Sequence, residues 1–373
     1  MKKLVILGIL FLCFGCNNPS LEKEKQTLTL EAGFQTPPNQ AKARTWWHWI
    51  SGNVSKSGIT KDLEAMKSVG IQEAQLFNVH LGFPKGGITY LSEEWLDLFH
   101  FAASEAKRLD LELAFHNSAG WSSSGGPWVT EENAMQTVVF SELIVDGEQE
   151  FKGQIPKPKT KFSYYQDIAV LAFPKPKASV KIDGLDYKIL SDRIRNHLLP
   201  DTKEIPNAAI IQKESIIDIT SKFSENGILE WKVPKGEWVI LRIGHTPNGA
   251  KNRPAVDGGH GFEVDKMSTA ALDDYWNKGV QPILNKLEGL VGETVKNCLI
   301  DSYEVGSQNW TSGFEDEFQK LRGYNLTSYL PTLAGYYVES GEITERFQWD
   351  FRRTIGDLIA ENYYGHFAEL CYK

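Results

Sequence analysis

The sequence has four cysteines, Cys13, Cys16, Cys298 and Cys371, and four methionines in 373 residues. Two cysteines outside the leader, in a chain this long, do not make a disulfide framework. Cys298 lies inside an apolar run and reads as a buried thiol. HExxH does not occur, and the CxxC spacing Cys13-Phe14-Gly15-Cys16 falls at the end of the apolar leader, which leaves none of the usual zinc signatures further along the chain. An excess of positive charge is also missing. Forty Lys and Arg face 48 Asp and Glu, for a net charge of −8 and a pI near 5.6. With no basic stripe, nucleic acid is not the expected partner. The apolar run Leu4–Phe14 is too short for a good membrane span.

That run does read as an export signal. Lys2 and Lys3 precede it, and Gly15-Cys16 follows it in the manner of a lipoprotein cleavage box, with Cys13 and Phe14 as loose matches. Residues 1–16 are expected to be a signal peptide, and the mature chain to start at a lipidated Cys16. Residues 17–38 are polar and read as a tether. The expected location is outside the cytoplasm of a bacterium, at the outer membrane, cell surface or periplasm, with membrane contact through the lipid only. An ordinary secretory signal with an incidental cysteine is the alternative. Aromatic residues are plentiful: 11 Trp, 13 Tyr and 19 Phe. They serve as platforms for sugar rings or as core.

Residues 39–132 alternate strand and helix patterns. Arg44-Thr45-Trp46-Trp47-His48-Trp49 reads as a strand ending at Ser51-Gly52-Asn53. Helical spacing follows over 58–69, then a strand over 71–80. Ser92 caps a helix with Glu93 and Glu94 in its first turn, and 111–117 is a third strand. Short connections in this order predict parallel pairing with right-handed crossovers. Residues 133–250 lose the helical period. Alternating runs at 136–145, 166–173, 208–212, 227–233 and 237–244, split by turns such as Asp146-Gly147 and Pro234-Lys235-Gly236, predict a β-rich, sandwich-like insertion after the third strand. Over 251–373 the helical pattern returns, with Ser268 as a cap, a fourth strand at 295–301, and helices at 314–322 and 345–372. The fold class is therefore α/β, as the first half of a (β/α)8 barrel. Four βα units fall short of the eight a barrel needs, so the chain is expected to be a fragment of a longer enzyme.

The stretch Asn297-Cys298-Leu299-Ile300-Asp301-Ser302-Tyr303-Glu304 organises this reading. A short apolar strand ends abruptly in acid, hydroxyl, aromatic and acid. Strand C-termini are where barrel enzymes build their sites, which makes Glu304 the catalytic candidate. Asp301 and Glu304 can instead cap the next turn. They have opposite strand parity, so the two are not expected to be the paired carboxyls of one glycoside hydrolysis. Further candidates for sugar contact are Trp47 and His48, Asn78, His116 and Asn117, Trp121, Asp301 and Tyr303. His48 can be a satisfied core imidazole and Trp47 a barrel-floor residue. Asn78 and His80 share a parity and can face the mouth or form a polar turn. The loop from Ser118 to Trp128 is rich in Gly and Ser, can approach a ligand closely, and lacks GxGxxG or Walker A spacing. Residues 257–266, dense in acids and His, either line the site or only turn the chain back.

Taken together and in order, Arg44 to Asn53, His116-Asn117 to Pro127-Trp128, Phe262-Glu263-Val264-Asp265-Lys266, and Asp301-Ser302-Tyr303-Glu304 to Gln308-Asn309-Trp310 resemble glycoside hydrolase family 106, the α-L-rhamnosidases. The resemblance covers about 37–373, the N-terminal part of a longer family chain. The resemblance implies a (β/α)8 catalytic domain with β-rich accessory domains, inverting hydrolysis, calcium dependence with unidentified ligands, and glycan degradation by a bacterium, on plant glycans and often on pectic polysaccharide. It casts Glu304 as the general acid, with the complementary carboxylate beyond Lys373. Tyr303 stands where the family usually has Trp, and Ser118-Ala119 before Gly120 also departs from the pattern, which touches subsite shape rather than the carboxylate. Two other readings stay open: a non-catalytic sugar-binding surface lipoprotein, and a glycosidase of another specificity on the same barrel. Linkage, aglycone and oligomeric state are not legible.

Overall fold

The computed structural model describes residues 29–191, 204–224 and 226–373. The expected leader, Cys16 and most of the tether lie outside them. Residues 1–42 and 43–373 are two separate units. In the first, a short helix α1 (Leu30–Gln35) is capped by Thr29, whose hydroxyl accepts from the Ala32 amide. None of its residues is buried.

In the second unit the chain runs β1 (Arg44–Ile50), α2 (Lys56–Ser68), β2 (Glu73–Val79), α3 (Glu93–Arg108) and β3 (Glu112–His116). Ser92 caps α3 by accepting from the Trp95 amide. The apolar stripe of α3, Trp95, Leu98, Phe99, Ala102, Ala103 and Ala106, is buried against the sheet. Burying such side chains contributes about 1.5–3 kcal/mol for each large one. The chain then leaves this sheet and rejoins it at β11 (Val295–Leu299), giving a four-stranded parallel sheet in the order β1-β2-β3-β11. Leu299 pairs with His116 and His48 with Phe77, so the strand ends that carry the candidate residues lie together. Ile300 and Asp301 fall just past β11, not within it.

Between β3 and β11 lie β4 (Gln136–Asp146), β5 (Glu150–Gln154), β6 (Gln166–Pro174), the short α4 (Leu185–Lys188), β7 (Ile210–Ile211), β8 (Ile217–Asp218), β9 (Ile228–Lys232) and β10 (Glu237–Pro247). An antiparallel sheet runs β4-β10-β6-β8, and β5 pairs with β9. A simple sandwich is not what results. One face of β6 and β10, with Val170, Ala172, Trp238 and Ile240, packs toward Leu229 and Trp231 of β9. The other face, with Leu171, Phe173, Val239 and Leu241, meets Phe314, Phe318, Phe347 and Phe351 from helices further on. Both faces are covered, which is why β6 and β10 read as nearly unbroken apolar runs.

Ser268 caps a helical run built from α5 (Thr269–Tyr275), a π turn (Trp276–Val280) and α6 (Gln281–Lys286). After β11 come α7 (Phe314–Arg322), β12 (Tyr337–Val338), α8 (Gly341–Leu358), a second π turn (Ile359–Gly365) and α9 (His366–Tyr372). β12 pairs in parallel with β7, so the strand expected over 208–212 joins this later segment rather than the antiparallel sheet. Among the described residues no helix is long and apolar enough to cross a membrane.

Candidate active site

Strand parity divides the candidates more sharply than motif reading does. Trp47 points away from the strand ends' open side: its Nε1–H donates to Asp62 of α2 at 3.0 Å, and its ring packs edge-on to Trp49. It belongs to the core between sheet and helices, not to a sugar wall. Asn78 is likewise buried, its Oδ1 accepting from Trp95 Nε1 of α3 at 2.8 Å. His80, of the same parity, bonds Ser51 Oγ at 2.9 Å. Asn117 is fully enclosed. Its amide donates to the Ser123 and Leu299 carbonyls, and its Oδ1 accepts from the Tyr275 hydroxyl at 2.6 Å. With every polar atom committed, Asn117 shapes the loop and has nothing left for a substrate.

His116 is also buried, stacked on Phe77 with ring centroids 5.0 Å apart. Its Nδ1–H donates to the Ser118 carbonyl at 2.8 Å, and its Nε2 accepts from the Asp301 amide at 3.2 Å. Burial lowers its pKa to about 4, opposed by the Ser118 bond, so the ring is neutral, as that pattern requires. His116 therefore positions the Asp301 backbone and does not reach a sugar.

The opposite face of β1 carries the half-buried His48. Trp121 Nε1–H donates to His48 Nε2 at 3.2 Å, and the rings meet edge-on at 6.0 Å. An accepting Nε2 puts the ring proton on Nδ1, which has no partner among the described residues. Burial lowers the His48 pKa, and the Asp301 charge opposes it. Asp301 is half-buried, and burial raises its carboxyl above the usual range. The Ser302 amide opposes this, the Glu304 charge adds to it, and His48 opposes it. Glu304 itself is exposed, and its carboxylate has no hydrogen-bond partner among the described residues. The Trp121 and Ser302 backbones lock together, the Ser302 amide donating to the Trp121 carbonyl at 3.1 Å. His48, Trp121, Asp301, Tyr303 and Glu304 thus gather at one end of the sheet.

Beneath them lies a sealed ion pair that motif reading left undecided. Glu263 and Lys266 are both fully buried, 2.6 Å apart. The same Glu263 oxygen accepts from Ser124 Oγ at 2.5 Å, while Oε1 has no partner among the described residues. The Lys266 ammonium sits 4.9 Å from the centre of the Tyr303 ring and 5.3 Å from that of Tyr363. Tyr303 is half-buried, and burial pushes its hydroxyl upward. Asp265 is sealed too, accepting from Gln308 Nε2 at 2.6 Å, Thr311 Oγ1 at 2.6 Å and the Met267 amide at 2.9 Å. These contacts span 124 to 363, so the 257–266 stretch ties loop, β11 exit and α8–α9 together. Gly120, at φ +90°, is needed in this frame: a Cβ there would lie 2.7 Å from the Arg253 carbonyl.

Calcium takes six to eight oxygen ligands. Among the described residues no group of three or more His, Cys, Asp or Glu is placed to hold a metal ion. Asp301 and Glu304 supply two carboxyls at most, so these residues do not by themselves fit calcium.

The parallel sheet thus gathers acids, imidazole and indole at its C-terminal edge, where sheets of this kind place their ligands. The model of the family Glyco_hydro_106, described as alpha-L-rhamnosidase, matches residues 35–373. The chain belongs to glycoside hydrolase family 106. It is 71% identical over 368 residues to a Formosa agariphila protein named provisionally as a beta-glucuronidase, covering 99% of this chain and 32% of that one. It is also similar in structure to the rhamnosidase from Novosphingobium sp. PP1Y, with a TM-score of 0.79 and 30% identity over 92% of this chain and 46% of that one. The chain thus spans about a third and just under half of the lengths of these two relatives.

Proposed function

We propose that this chain is the N-terminal part of the catalytic domain of an inverting α-L-rhamnosidase, its parallel sheet forming the first half of a (β/α)8 barrel. The observation that carries the reading is Glu304, a carboxylate with no hydrogen-bond partner among the described residues, in the segment that follows β11, beside the half-buried Asp301 and the His48–Trp121 pair. A sugar seated here would lie against the exposed Glu304 carboxyl. Glu304 would then protonate the leaving oxygen. His48 Nδ1–H would donate to a ring hydroxyl, and Trp121 would wall the sugar. The second carboxyl would stand about 6.5–9.5 Å away across the scissile bond, as inversion requires. Glu263 and Asp265 are sealed by internal bonds, which supports a source elsewhere in the whole protein. The 373-residue chain alone is accordingly expected not to turn over an aryl rhamnoside.

The name of the Formosa relative favours a second reading, a β-glucuronide as substrate. Rates of the whole protein on 4-nitrophenyl α-L-rhamnoside and 4-nitrophenyl β-D-glucuronide decide between them. Rhamnoside turnover without glucuronide turnover is expected, and the reverse would move the specificity to the glucuronide. Anchoring belongs to the proposal as well. Cys16→Ser should shift the protein from the membrane to the soluble fraction, and an unchanged membrane fraction would contradict a lipid at Cys16.

A further inference from the structure

The loop that follows Glu304 does not end at the sugar mouth. Val305, Gly306 and Ser307 form one wall of a cleft of about 460 Å³, and the other wall includes Lys251, Arg253 and His260. No Asp or Glu lines this cleft among the described residues, although the chain carries a net charge of −8. Lys251, Arg253 and His260 are all exposed. Elsewhere many cations are matched, as Lys85 is by Asp257 and Lys107 by Glu293. Lys251 and Arg253 have no ion-pair partner among the described residues; the Lys251 ammonium lies only against the Phe262 ring, 5.3 Å from its centre.

The walls are held in place from behind. Asn252, between the two cations, is fully buried. Its Nδ2 donates to the Ala119 and Gly259 carbonyls at 3.0 and 2.8 Å, and its Oδ1 accepts from the Gly261 amide at 2.9 Å. The Arg253 amide donates to Ser122 Oγ at 2.9 Å, and its carbonyl accepts from the Trp121 amide at 3.0 Å. Asn248 Nδ2 closes the cleft by donating to the Ser307 carbonyl at 2.8 Å. The loop carrying the cations is therefore fastened to the same Trp121–Ser302 lock that frames Glu304. From Glu304 to Ser307 is at most about 10 Å of extended chain, within reach of an adjoining sugar ring.

We propose that this cleft is a subsite for an anionic group on the glycan, a carboxylate or sulfate on a sugar next to the one held at Glu304. The inference rests on the mouth being a sugar site, but not on which glycosidic bond is cut. An oxyanion entering here meets two cations that have no ion-pair partner among the described residues, held on a pre-formed frame, and so gains charge-assisted hydrogen bonds. A neutral sugar gains none.

The test titrates three probes into the whole protein by calorimetry: a galacturonate tetrasaccharide, its neutral galactose counterpart, and that counterpart sulfated. At least one anionic probe should bind about tenfold or more tightly than the neutral one. That advantage should shrink at high salt, and collapse in Lys251→Ala/Arg253→Ala. The tighter of the two anionic probes identifies carboxylate or sulfate as the group read. Arg253→Gln, one exposed side chain, repeats the test should the double variant fold poorly, and Lys152→Ala controls for general loss of charge. Equal binding of neutral and anionic probes, or an advantage that survives in a folded Lys251→Ala/Arg253→Ala protein, overturns the proposal. Equal binding with rhamnoside turnover intact would remove this subsite alone. Discrimination with no turnover of any rhamnoside would remove the proposed reaction and leave the subsite standing.

Discussion

Two acidic clusters meet around Tyr303, and they are built in opposite ways. Glu263 and Asp265 are enclosed, with Lys266, Ser124, Gln308, Thr311 and a backbone amide consuming all but one of their four oxygens. Asp301 and Glu304 are half-buried and exposed, and the bonds around them position the backbone rather than neutralise the carboxyls. An acid enclosed and held by internal bonds supports a structure, whereas an acid left open can exchange a proton with a ligand. Sequence alone gives both clusters the same appearance, short runs of acid among aromatic and hydroxyl residues.

The largest effect should come from the open cluster. Glu304→Gln in the whole enzyme should lower turnover about 10²–10⁴-fold with little change in melting temperature, since general acid assistance is worth that much. A drop in melting temperature to match the activity loss would erase the distinction between the clusters. In the sealed cluster the reverse is expected. Lys266→Met strands the Glu263 carboxylate among buried groups and should destabilise the fold by about 3–5 kcal/mol in urea titration. A near-neutral result would mean that water reaches Glu263.

The next effect follows from pH. His116 is neutral when folded, with a pKa of about 4 against 6.5 for the free side chain. Its depressed pKa means that the unfolded chain takes up the proton first. The stability it contributes is full above about pH 6.5 and is lost as pH falls toward about 4. His245, lowered to about 4 by burial, acts in the same direction. Asp265 and Asp301, both raised mainly by burial, act oppositely and recover stability as they protonate, while His366, raised by Asp273 and Glu369 against burial, favours the folded state at lower pH. Subtracting the His116→Gln stability profile from that of the parent isolates the one residue. The difference should fall by about 2–3 kcal/mol across that window, and a flat difference would deny His116 its neutral positioning role.

The smallest effect separates the two faces of the sheet. Trp47→Phe should cost about 1 kcal/mol of stability through the lost bond to Asp62. Trp121→Ala should instead raise KM, because that ring stands on the open side with His48. Equal effects on KM would put both indoles on one face, against the observed alternation.

Much of the scaffold was legible because period and capping are local. The parallel strands, the Ser92 and Ser268 caps, and the helix at Phe314–Arg322 follow from residues close together in the chain. The double covering of β6 and β10 was not legible, since it depends on Phe314 and Phe351 arriving from far along the chain. In the site, Trp47 and His48 are adjacent in one strand and therefore face opposite sides, but nothing local says which side is open. Asn78 and Asn117 look like mouth residues until Trp95 and Tyr275 are found on their amide oxygens. Lys251 and Arg253 escaped notice because two cations flanking an Asn carry no motif. Their one signal was a basic pair without neighbouring acid in an acidic chain.

In the proposed reaction Glu304 donates the proton to the departing sugar oxygen. The direct measurement is kcat/KM for Glu304→Gln and the parent on two rhamnosides, one with an alkyl or sugar leaving group and one with an activated aryl group. A loss of about 10²–10⁴-fold is expected on the first and a much smaller loss on the second, whose leaving group needs little protonation. Equal losses on both substrates would contradict that role and make Glu304 a base or a positioning residue.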